Sequence, residues 1–537
     1  MQATIGGHGL TLSHLIWRME HVFGRKPYWS VDDDGAMVSS TYGELAARCG
    51  QYARVLDERG PGGARVATLA WNHGAHLALM LASSARGGIV IPLNPRSSRE
   101  QLDHVIAETQ PDLIVHDADL AELAHTLSRA AGTPIPLMGV GRGECDCDDL
   151  NEAARRHEAG YAWPDVGEDA TAHVAYTSGT TGMPKGVAYT HRSQMLHALM
   201  SLGVDTLGVR ETDVILPGAP FFHANSQGLP YAALLSGASL ILAGKQSGDG
   251  GLLARLVAEH QVTCLGAVPT VIHRVCTSAA AEDRTDLLDG VRILCGGSAV
   301  DQVLADAVEA LGGQMIQVWG MTETSPITTV SRPRSWLDDA QRRRARTAQG
   351  VPVPCVELSL RALDSPGVVD WDGDSTGELL CRSPWIIGDY LWGTWPTDDH
   401  TWLPTGDVAS IDDSGYLRIV DRLKDMIKSG GEWIPTRQLE SLISSVDGVA
   451  DVAVVGVPHP EWGERPIVYL VPTQTDASAS GLGERISSAL GAAVPRFWIP
   501  DEIHLVDSLP RTPTEKINKV ALRNAPPVPT RTEALRR

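Results

Sequence analysis

The chain has 537 residues, of which 43% are hydrophobic and 20% are charged, and its formal net charge at pH 7 is −20. This length exceeds what one hydrophobic core usually supports, so we expect two or more domains. The excess of negative charge argues against nucleic acid or an anionic membrane surface as the main partner. A bound anion would need local cationic groups that act against the field of the whole protein.

The amino terminus, MQATIGGHGLTLSHLIWRMEH, has no basic segment followed by an apolar core, so we predict no signal peptide. No apolar run approaches the roughly 20 residues that a membrane-spanning helix needs. Most of the eight cysteines, such as Cys264 and Cys295, lie in apolar stretches, which is typical of reduced, buried thiols. We therefore expect a cytoplasmic protein without a membrane span.

Helical and extended patterns alternate from residue 41 onward. Helical apolar spacing is found in TYGELAARCGQYARVLDERG and HGAHLALMLASSARGG, whereas ARVATLAW and GGIVIPLN have the pattern of buried strands. The next helical segment begins with Ser98 and Gln101 at the spacing of a capping box. Alternation of this kind predicts an α/β fold with layered βαβ units and parallel sheets.

The pattern changes twice towards the carboxyl terminus. From about 350 to 420, short strands with turn signals predict a β-rich subdomain. After the charged segment VDRLKDMIKSGGEWIP a new α+β pattern begins. We therefore predict a large N-terminal domain over 1–421, a small mobile C-terminal domain over 422–524, and a disordered tail over 525–537.

A glycine- and hydroxyl-rich loop lies between two apolar runs in HVAYTSGTTGMPKGVAYTH. Its backbone N–H groups, its hydroxyls and the point charge of Lys185 suit a polyphosphate. The spacing of Gly179, Gly182 and Lys185 differs from that of a Walker loop, and the loop joins two predicted strands instead of opening a helix. Taken alone, the pattern is equally compatible with an ordinary polar hairpin.

Four further segments follow in order: QVWGMTETSP, TGD at 405–407, DRLKDMIKSGGEWI and LPRTPTEKINK. Together with YTSGTTGMPKGV they resemble the motifs of the adenylate-forming superfamily, which comprises acyl- and aryl-CoA synthetases, adenylation domains of peptide synthetases and luciferases. The resemblance spans nearly the whole chain. The segments FFHANSQGLPY, SGGEWI and WIPDEI resemble most the branch that activates medium- and long-chain fatty acids.

The resemblance implies an ATP site. Glu323 would hold Mg²⁺, Thr322 would contact the α-phosphate, and Asp407 would accept hydrogen bonds from the ribose, reinforced by Arg422. The residues that would cradle the outer phosphates are Thr177, Ser178, Gly179, Thr180, Thr181, Gly182 and Lys185. Gly296, Gly297 and Ser298 would pack on the adenine, and Trp319 and Gly320 would also bind the nucleotide.

The resemblance also implies a second step, in which CoA replaces AMP on the acyl group. His223 would lie in the acyl or CoA channel, and Lys424 would be the hinge of a rotating C-terminal domain. One orientation would bring Lys516 to the carboxylate and the α-phosphate. The other would bring in the loop with Gly430 and Gly431, whose bare backbone leaves room for the pantetheine arm.

We thus predict an ATP- and Mg²⁺-dependent ligase that converts a fatty or fatty-like acid into its acyl-CoA. A homodimer is compatible with this reading. The sequence leaves three other functions open: loading of a carrier protein, oxygen chemistry as in luciferase, and nucleotide binding without catalysis.

One residue departs from the family pattern. The terminal motif usually has glycine before the lysine, whereas this chain has Glu515 before Lys516. A carboxylate near the triphosphate would impair adenylation and leave a protein that mainly transfers a preformed acyl-adenylate to CoA. A glutamate that points into solvent would have no effect.

Overall fold

The computed structural model describes residues 7–31, 36–60, 62–140, 147–177, 183–224, 228–391, 401–473, 481–511, 517–524 and 526–534. These residues form four sheets, of seven, nine, four and six strands. Within these ranges, no helix combines the length and the apolarity needed to cross a bilayer.

The first part of the chain alternates helices and strands, as predicted. Its elements are α1 (Ser13–His21), β1 (Pro27–Val31), β2 (Met37–Thr41), α2 (Tyr42–Arg59), β3 (Arg65–Leu69), α3 (Gly74–Ala85), β4 (Ile89–Pro92), α4 (Arg99–Thr109), β5 (Leu113–Asp117), α5 (Ala121–Ala130), β6 (Leu137–Val140), β7 (Asp148–Asp149), α6 (Leu150–Ala154), β8 (Thr171–Tyr176) and β9 (Gly186–Thr190).

The second part continues this alternation. Its elements are α7 (His191–Ser201), β10 (Val214–Pro217), α8 (Gly228–Ser236), β11 (Ser239–Leu242), α9 (Gly250–His260), β12 (Cys264–Ala267), α10 (Pro269–Ala281), β13 (Arg292–Cys295), α11 (Gln302–Ala310), β14 (Gln314–Gly320), β15 (Ile327–Val330), α12 (Asp339–Thr347) and β16 (Val351–Pro352).

Local signals set the helix starts. Thr41 and Glu44 form a capping box at α2, and Ser98 and Gln101 form the predicted one at α4. Each pair satisfies backbone N–H groups that have no partner inside the helix. By contrast, α3 is apolar all round and buried along its whole length. It contributes to one hydrophobic core that contains residues of both large sheets.

The seven-stranded sheet has the order β7-β6-β5-β3-β4-β8-β9. Its strands are parallel except for β9, which pairs antiparallel with β8. The glycine-rich loop therefore joins two antiparallel neighbours, which confirms the prediction that it connects two strands.

The nine-stranded sheet has the order β16-β15-β14-β13-β12-β10-β11-β1-β2. From β11 to β14 neighbouring strands are parallel, so their carboxyl ends meet at one edge. In open α/β sheets, ligands bind outside this edge. At its end, β14 turns back into antiparallel β15 through an irregularity between Trp319 and Gly320.

The remaining elements are β17 (Glu357–Arg361), β18 (Gly377–Arg382), β19 (Leu403–Ile411), β20 (Leu417–Arg422), β21 (Ile427–Ser429), β22 (Glu432–Ile434), α13 (Thr436–Ser444), β23 (Val449–His459), β24 (Gly463–Pro472), α14 (Leu482–Ala493), β25 (Glu502–Leu505), α15 (Lys519–Asn524) and β26 (Arg531–Ala534). Strands β17 to β20 form an antiparallel sheet, which confirms the predicted β-rich region.

The next sheet begins with β21, so the chain passes from one sheet to another between Arg422 and Ile427. The buried carboxylate of Asp421, in β20, connects this strand with the start of α13. Its Oδ2 atom accepts hydrogen bonds from the backbone N–H of Thr436, at 2.5 Å, and from the Thr436 hydroxyl, at 2.7 Å. It thereby satisfies the first orphan N–H group of α13, which has no cap of its own.

The tail differs in part from the prediction of disorder. Arg531–Ala534 form β26, which pairs antiparallel with β25. Without it, β25 would present an unpaired edge of backbone donors and acceptors, which is a liability that proteins usually cover. The composition and terminal position on which the prediction rested do not report this pairing.

Candidate active site

The neck of the glycine-rich loop is closed by two predicted site residues. The Thr177 N–H donates to the carbonyl of Lys185 at 3.0 Å, and the Lys185 N–H donates to Oγ1 of Thr177 at 3.1 Å. These bonds continue the β8–β9 ladder and hold the exposed Lys185 at the loop's end. The predicted phosphate-binding residues Ser178, Gly179, Thr180, Thr181 and Gly182 lie outside the described residues.

Lys185 and Glu323 meet at the same aromatic ring. Nζ of Lys185 lies 4.7 Å from the ring centroid of Tyr390, within the range of a cation–π interaction. The Tyr390 hydroxyl donates to Oε1 of Glu323 at 2.7 Å. Burial, together with the Glu323 charge, raises the pKa of Tyr390 above its ordinary value, so the phenol stays a donor at neutral pH. The ring thus connects the cation of the loop with a buried carboxylate.

A short 3₁₀ turn after β14, Thr322–Thr324, carries Thr322 and Glu323. The residue before this turn region, at position 320, is a glycine because the chain doubles back there. A Cβ on Gly320 would lie 1.6 Å from the carbonyl oxygen of Pro326. The Thr322 carbonyl accepts a hydrogen bond from the hydroxyl of Tyr189 on β9, at 2.6 Å. This bond ties the turn to the sheet that carries the glycine-rich loop.

An apolar cavity lies at the carboxyl ends of the parallel strands. Its lining includes Gly296 and Gly297, two of the three residues predicted to pack on adenine, and the predicted nucleotide-binding residues Trp319 and Gly320. Strands β13 and β14 are neighbours, which is why their end residues meet here. The third predicted adenine residue, Ser298, is exposed and is not among the lining residues.

Asp407 is a second buried carboxylate of the site. Register places it opposite Arg422 in the β19–β20 pair, and Nε of Arg422 lies 2.8 Å from its Oδ1 atom. Its other oxygen, Oδ2, is buried without a hydrogen-bond partner. Burial raises the pKa of Asp407, an effect that the Arg422 charge opposes. A buried acceptor of this kind fits a ligand that brings hydroxyl donors, as a ribose does.

His223 lines a second cavity. The same cavity is lined by Tyr176, Thr177 and Pro184 at the neck of the glycine-rich loop. The His223 ring packs edge-on against Phe222, with the centroids 4.8 Å apart. The structure therefore brings His223 next to the neck of the glycine-rich loop.

The hinge segment forms a turn and a hairpin. Lys424 lies in the turn between β20 and β21, where the N–H groups of Asp425 and Met426 donate to the carbonyl of Arg422. Gly430 and Gly431 form the β21–β22 turn with φ of +62° and +94°, a conformation that favours glycine.

Neither of these glycines is among the residues that line the two cavities. The hairpin instead contacts Asp364, which pairs with Lys428 and accepts from the indole N–H of Trp433. Lys516 and Glu515 lie outside the described residues. The structure thus brings together the predicted loop neck, turn, adenine and ribose residues, and it places the predicted CoA-loop glycines elsewhere.

Comparison with known proteins identifies the family. Residues 23–391 match the family model described as AMP-binding enzyme, and residues 438–516 match the AMP-binding enzyme C-terminal domain. The chain belongs to the AMP-binding enzymes. This confirms the resemblance to the adenylate-forming superfamily.

Relatives of this AMP-binding enzyme are acyl-CoA ligases. It is 32% identical to 3-methylmercaptopropionyl-CoA ligase from Ruegeria pomeroyi, over 96% of this chain and 97% of the relative. It is 34% identical to medium-chain-fatty-acid–CoA ligase from Ectopseudomonas oleovorans, over 96% and 95% of the two chains.

A solved structure of ATP-bound MatB from Rhodopseudomonas palustris superposes with a TM-score of 0.78 at 26% identity, covering 96% of this chain and 98% of that one. An anthranilate CoA ligase superposes with a TM-score of 0.84 at 21% identity, with 96% and 97% coverage. Both confirm the predicted α/β fold with a large N-terminal and a small C-terminal part.

Two residues of the site were missed by the sequence reasoning. Tyr390 lies 67 positions along the chain from Glu323, which it contacts. None of the motif segments quoted above contains it. His197, which lines the apolar cavity, is one of two histidines in α7. Periodicity marks neither of them as functional.

We expect Asp407→Ala to weaken ATP binding about 5- to 150-fold. Each ribose donor left unpaired costs roughly 1–3 kcal/mol, and each 1.4 kcal/mol is about tenfold in affinity. Titration calorimetry with ATP measures this. Asp413→Ala, which removes an exposed carboxylate from the turn after β19, is the matched control. Equal ATP affinity of the Asp407 variant and the control would rule out the ribose assignment.

Proposed function

We propose that this AMP-binding enzyme converts a carboxylic acid into its CoA thioester by way of an acyl-adenylate. The observation that carries the proposal is the position of Asp407. Its unpaired Oδ2 atom fits a ribose, and Asp407 lies close to the side chain of Trp319, which lines the apolar cavity. A nucleotide held there would have its phosphates and an apolar acyl group side by side.

The nucleotide would be held by residues at three sheets. Two of these sheets would bind the ribose and the adenine, and Lys185, next to the third, would bind the phosphates. Asp407 would accept from the ribose hydroxyls, and Arg422 would keep that carboxylate ionised and oriented. Gly296 and Gly297 would lie along the adenine, because a bare backbone allows close approach there. Gly296 already packs against Val318, since a Cβ at this position would lie 2.8 Å from a Val318 methyl group.

The phosphates would be neutralised by Lys185 and by Mg²⁺ at Glu323. Mg²⁺ binds through one or two carboxylates together with substrate phosphates. The described residues contain no cluster of three or more potential metal ligands, and the single buried carboxylate of Glu323 suits this mode. When bound, Mg²⁺ would stabilise charge that develops on the phosphate oxygens.

In the first step the substrate carboxylate attacks the α-phosphorus, and pyrophosphate leaves. Because anions react here, charge neutralisation and alignment would account for most of the catalysis. Thr322 would contact the α-phosphate, and Tyr390 would fix Lys185 and Glu323 relative to each other. The Lys516 ammonium would join this site during adenylation.

In the second step the CoA thiolate attacks the acyl carbon, and AMP leaves. The cavity that His223 shares with Thr177 and Pro184 would be the route of the thiol. The described arrangement keeps the Gly430–Gly431 turn at Asp364, so the C-terminal domain would have to rotate about Lys424 to bring this turn to the thiol route. The chain matches its relatives over almost their whole length, and these relatives are named acyl-CoA ligases. This supports CoA as the acceptor.

The proposal predicts AMP, pyrophosphate and an acyl-CoA as products. The enzyme would be incubated with ATP, Mg²⁺, CoA and a panel of acids that includes short-, medium- and long-chain alkanoic acids, 3-methylmercaptopropionic acid and aryl acids. Mass spectrometry identifies the product, with a phosphopantetheinylated carrier protein as the alternative acceptor. Acylation of the carrier but not of CoA would replace the proposal by carrier loading.

Two further assays measure the half-reactions separately in variants: ATP–pyrophosphate exchange reports adenylation, and CoA transfer from synthetic acyl-AMP reports thioester formation. Lys516→Ala should lower ATP–pyrophosphate exchange and leave CoA transfer from synthetic acyl-AMP unchanged, because only adenylation uses the lysine. If Glu515 impairs adenylation, Glu515→Gly should accelerate exchange by up to roughly thirtyfold, the effect of about 2 kcal/mol of charge repulsion. Equal exchange rates of the wild type and Glu515→Gly would show that the departure from the family pattern is neutral.

Tyr390→Phe should raise the Mg²⁺ concentration needed for half-maximal exchange by about two- to twelvefold. The substitution removes the hydrogen bond to Glu323, worth about 0.5–1.5 kcal/mol, and keeps the ring beneath Lys185. Tyr52→Phe, which removes a hydroxyl that contacts Asn151 outside the site, is the matched control. An unchanged Mg²⁺ dependence in Tyr390→Phe would show that the phenol does not orient Glu323.

A further inference from the structure

His197 is a polar group in an otherwise apolar cavity. The cavity lies at the carboxyl ends of β10, β12, β13 and β14 and is closed by α7 and α8. Among its described lining residues, His197 has the only ionisable side chain, and the others are glycine, alanine, proline, valine, leucine, isoleucine and tryptophan. The tryptophan, Trp319, has its side chain close to Asp407. Apart from the indole N–H of Trp319, His197 therefore has the only polar side-chain atoms of this described lining.

The imidazole packs against its surroundings, and its Nε2 atom lacks a partner among the described residues. His197 is 1% exposed, and its Nε2 atom is buried without a hydrogen-bond partner among the described residues. A Cβ on Gly228 would lie 2.2 Å from Cε1 of His197, so the ring packs directly against the backbone at the start of α8. Buried polar atoms are nearly always hydrogen-bonded, and an exception calls for an explanation.

The ring is neutral under the conditions in which the enzyme would work. Burial lowers the pKa of His197 to about 4. A neutral imidazole has one nitrogen that donates and one that accepts, so it can bind either a carbonyl oxygen or a hydroxyl group. A second carboxylate in the substrate would prefer a cation, and this part of the cavity offers none among its described residues.

We propose that His197 selects acids that carry one uncharged oxygen function, a carbonyl or a hydroxyl, within an otherwise apolar body. This inference rests on the proposed function, because it assigns the acyl group of the adenylate to this cavity. The apolar walls, among them Leu207, Leu229, Leu294 and Ile327, would bind the hydrocarbon part. The oxygen would complete the hydrogen bonding of the imidazole, and a plain hydrocarbon would leave it unsatisfied.

Discrimination of this kind is strong because it acts through an unpaired group. A pocket that hydrogen-bonds a substrate hydroxyl rejects the analogue without it far better than an apolar pocket rejects one additional methylene. We expect at least a tenfold preference in kcat/KM for the oxygenated member of an isosteric pair. If a buried water already paired with His197, the preference would be absent. An apolar chain that left this water in place would then bind as well as the oxygenated acid.

The test uses pairs in which an oxygen replaces a methyl group of the same shape. Examples are 6-oxoheptanoic with 6-methylheptanoic acid and 4-hydroxyphenyl- with 4-methylphenylpropanoic acid, with the oxygen moved along the chain in further pairs. Two readouts are taken: kcat/KM for CoA-ester formation, and calorimetric affinity for the non-reactive acyl-sulfamoyladenosine of each acid. The variants are His197→Leu, His197→Gln and the control Ser193→Ala, a buried residue of the same helix that lies outside the cavity lining and whose hydroxyl donates to the Thr190 carbonyl.

The wild type and Ser193→Ala should favour the oxygenated member of at least one pair in both readouts. His197→Leu should lose or reverse this preference, and His197→Gln, which keeps a donor and an acceptor, should restore part of it. A wild type that favours the oxygenated member of no pair, or a preference that survives in His197→Leu, would overturn the inference. If the analogues bind with the expected preference but no CoA ester forms with any acid, the proposed function fails and the inference about His197 stands.

Discussion

The site depends on one buried carboxylate that the protein itself only half satisfies. A buried charge is tolerated when an opposite charge and hydrogen bonds compensate for lost water, and Arg422 supplies this for one oxygen of Asp407. The β19–β20 register sets this pair, and a shift by one residue would move Asp407 to the other face of the sheet. Because Arg422 ends β20 directly before the turn that contains Lys424, the proposed ribose site and the proposed domain hinge share one short piece of chain.

The rest of the site is assembled by contacts between sheets. Tyr189 links the seven-stranded sheet to the turn after β14, and Tyr390 holds Glu323 and Lys185 at a common ring. Both bonds position charged groups before any ligand arrives, which is the form of electrostatic preorganisation that accelerates reactions between anions. The cavity beside them is apolar, so an acyl group that fills it would exclude water from the reacting phosphate.

Much of the architecture was predictable because it follows from short-range rules. The capping residues Ser98 and Gln101 predict where α4 begins. Periodicity predicts the two strands that flank the glycine-rich loop. The ordered motifs located Glu323 and Asp407. Tyr390 and His197 were not predictable, since their roles arise from contacts between elements distant in sequence. Pairing of Arg531–Ala534 with β25 was missed for the same reason, because an exposed edge strand is a property of the folded sheet.

The central claim is that one cavity at the strand ends holds the acyl group while Asp407 holds the ribose beside it. A crystal structure of the protein with a non-reactive acyl-sulfamoyladenosine tests this most directly. The account predicts a ribose hydroxyl within about 2.5–3.0 Å of Oδ2 of Asp407 and the acyl chain between Leu294 and Ile327, in contact with His197. A ribose bound away from Asp407, or an acyl chain that leaves this cavity empty, would contradict it.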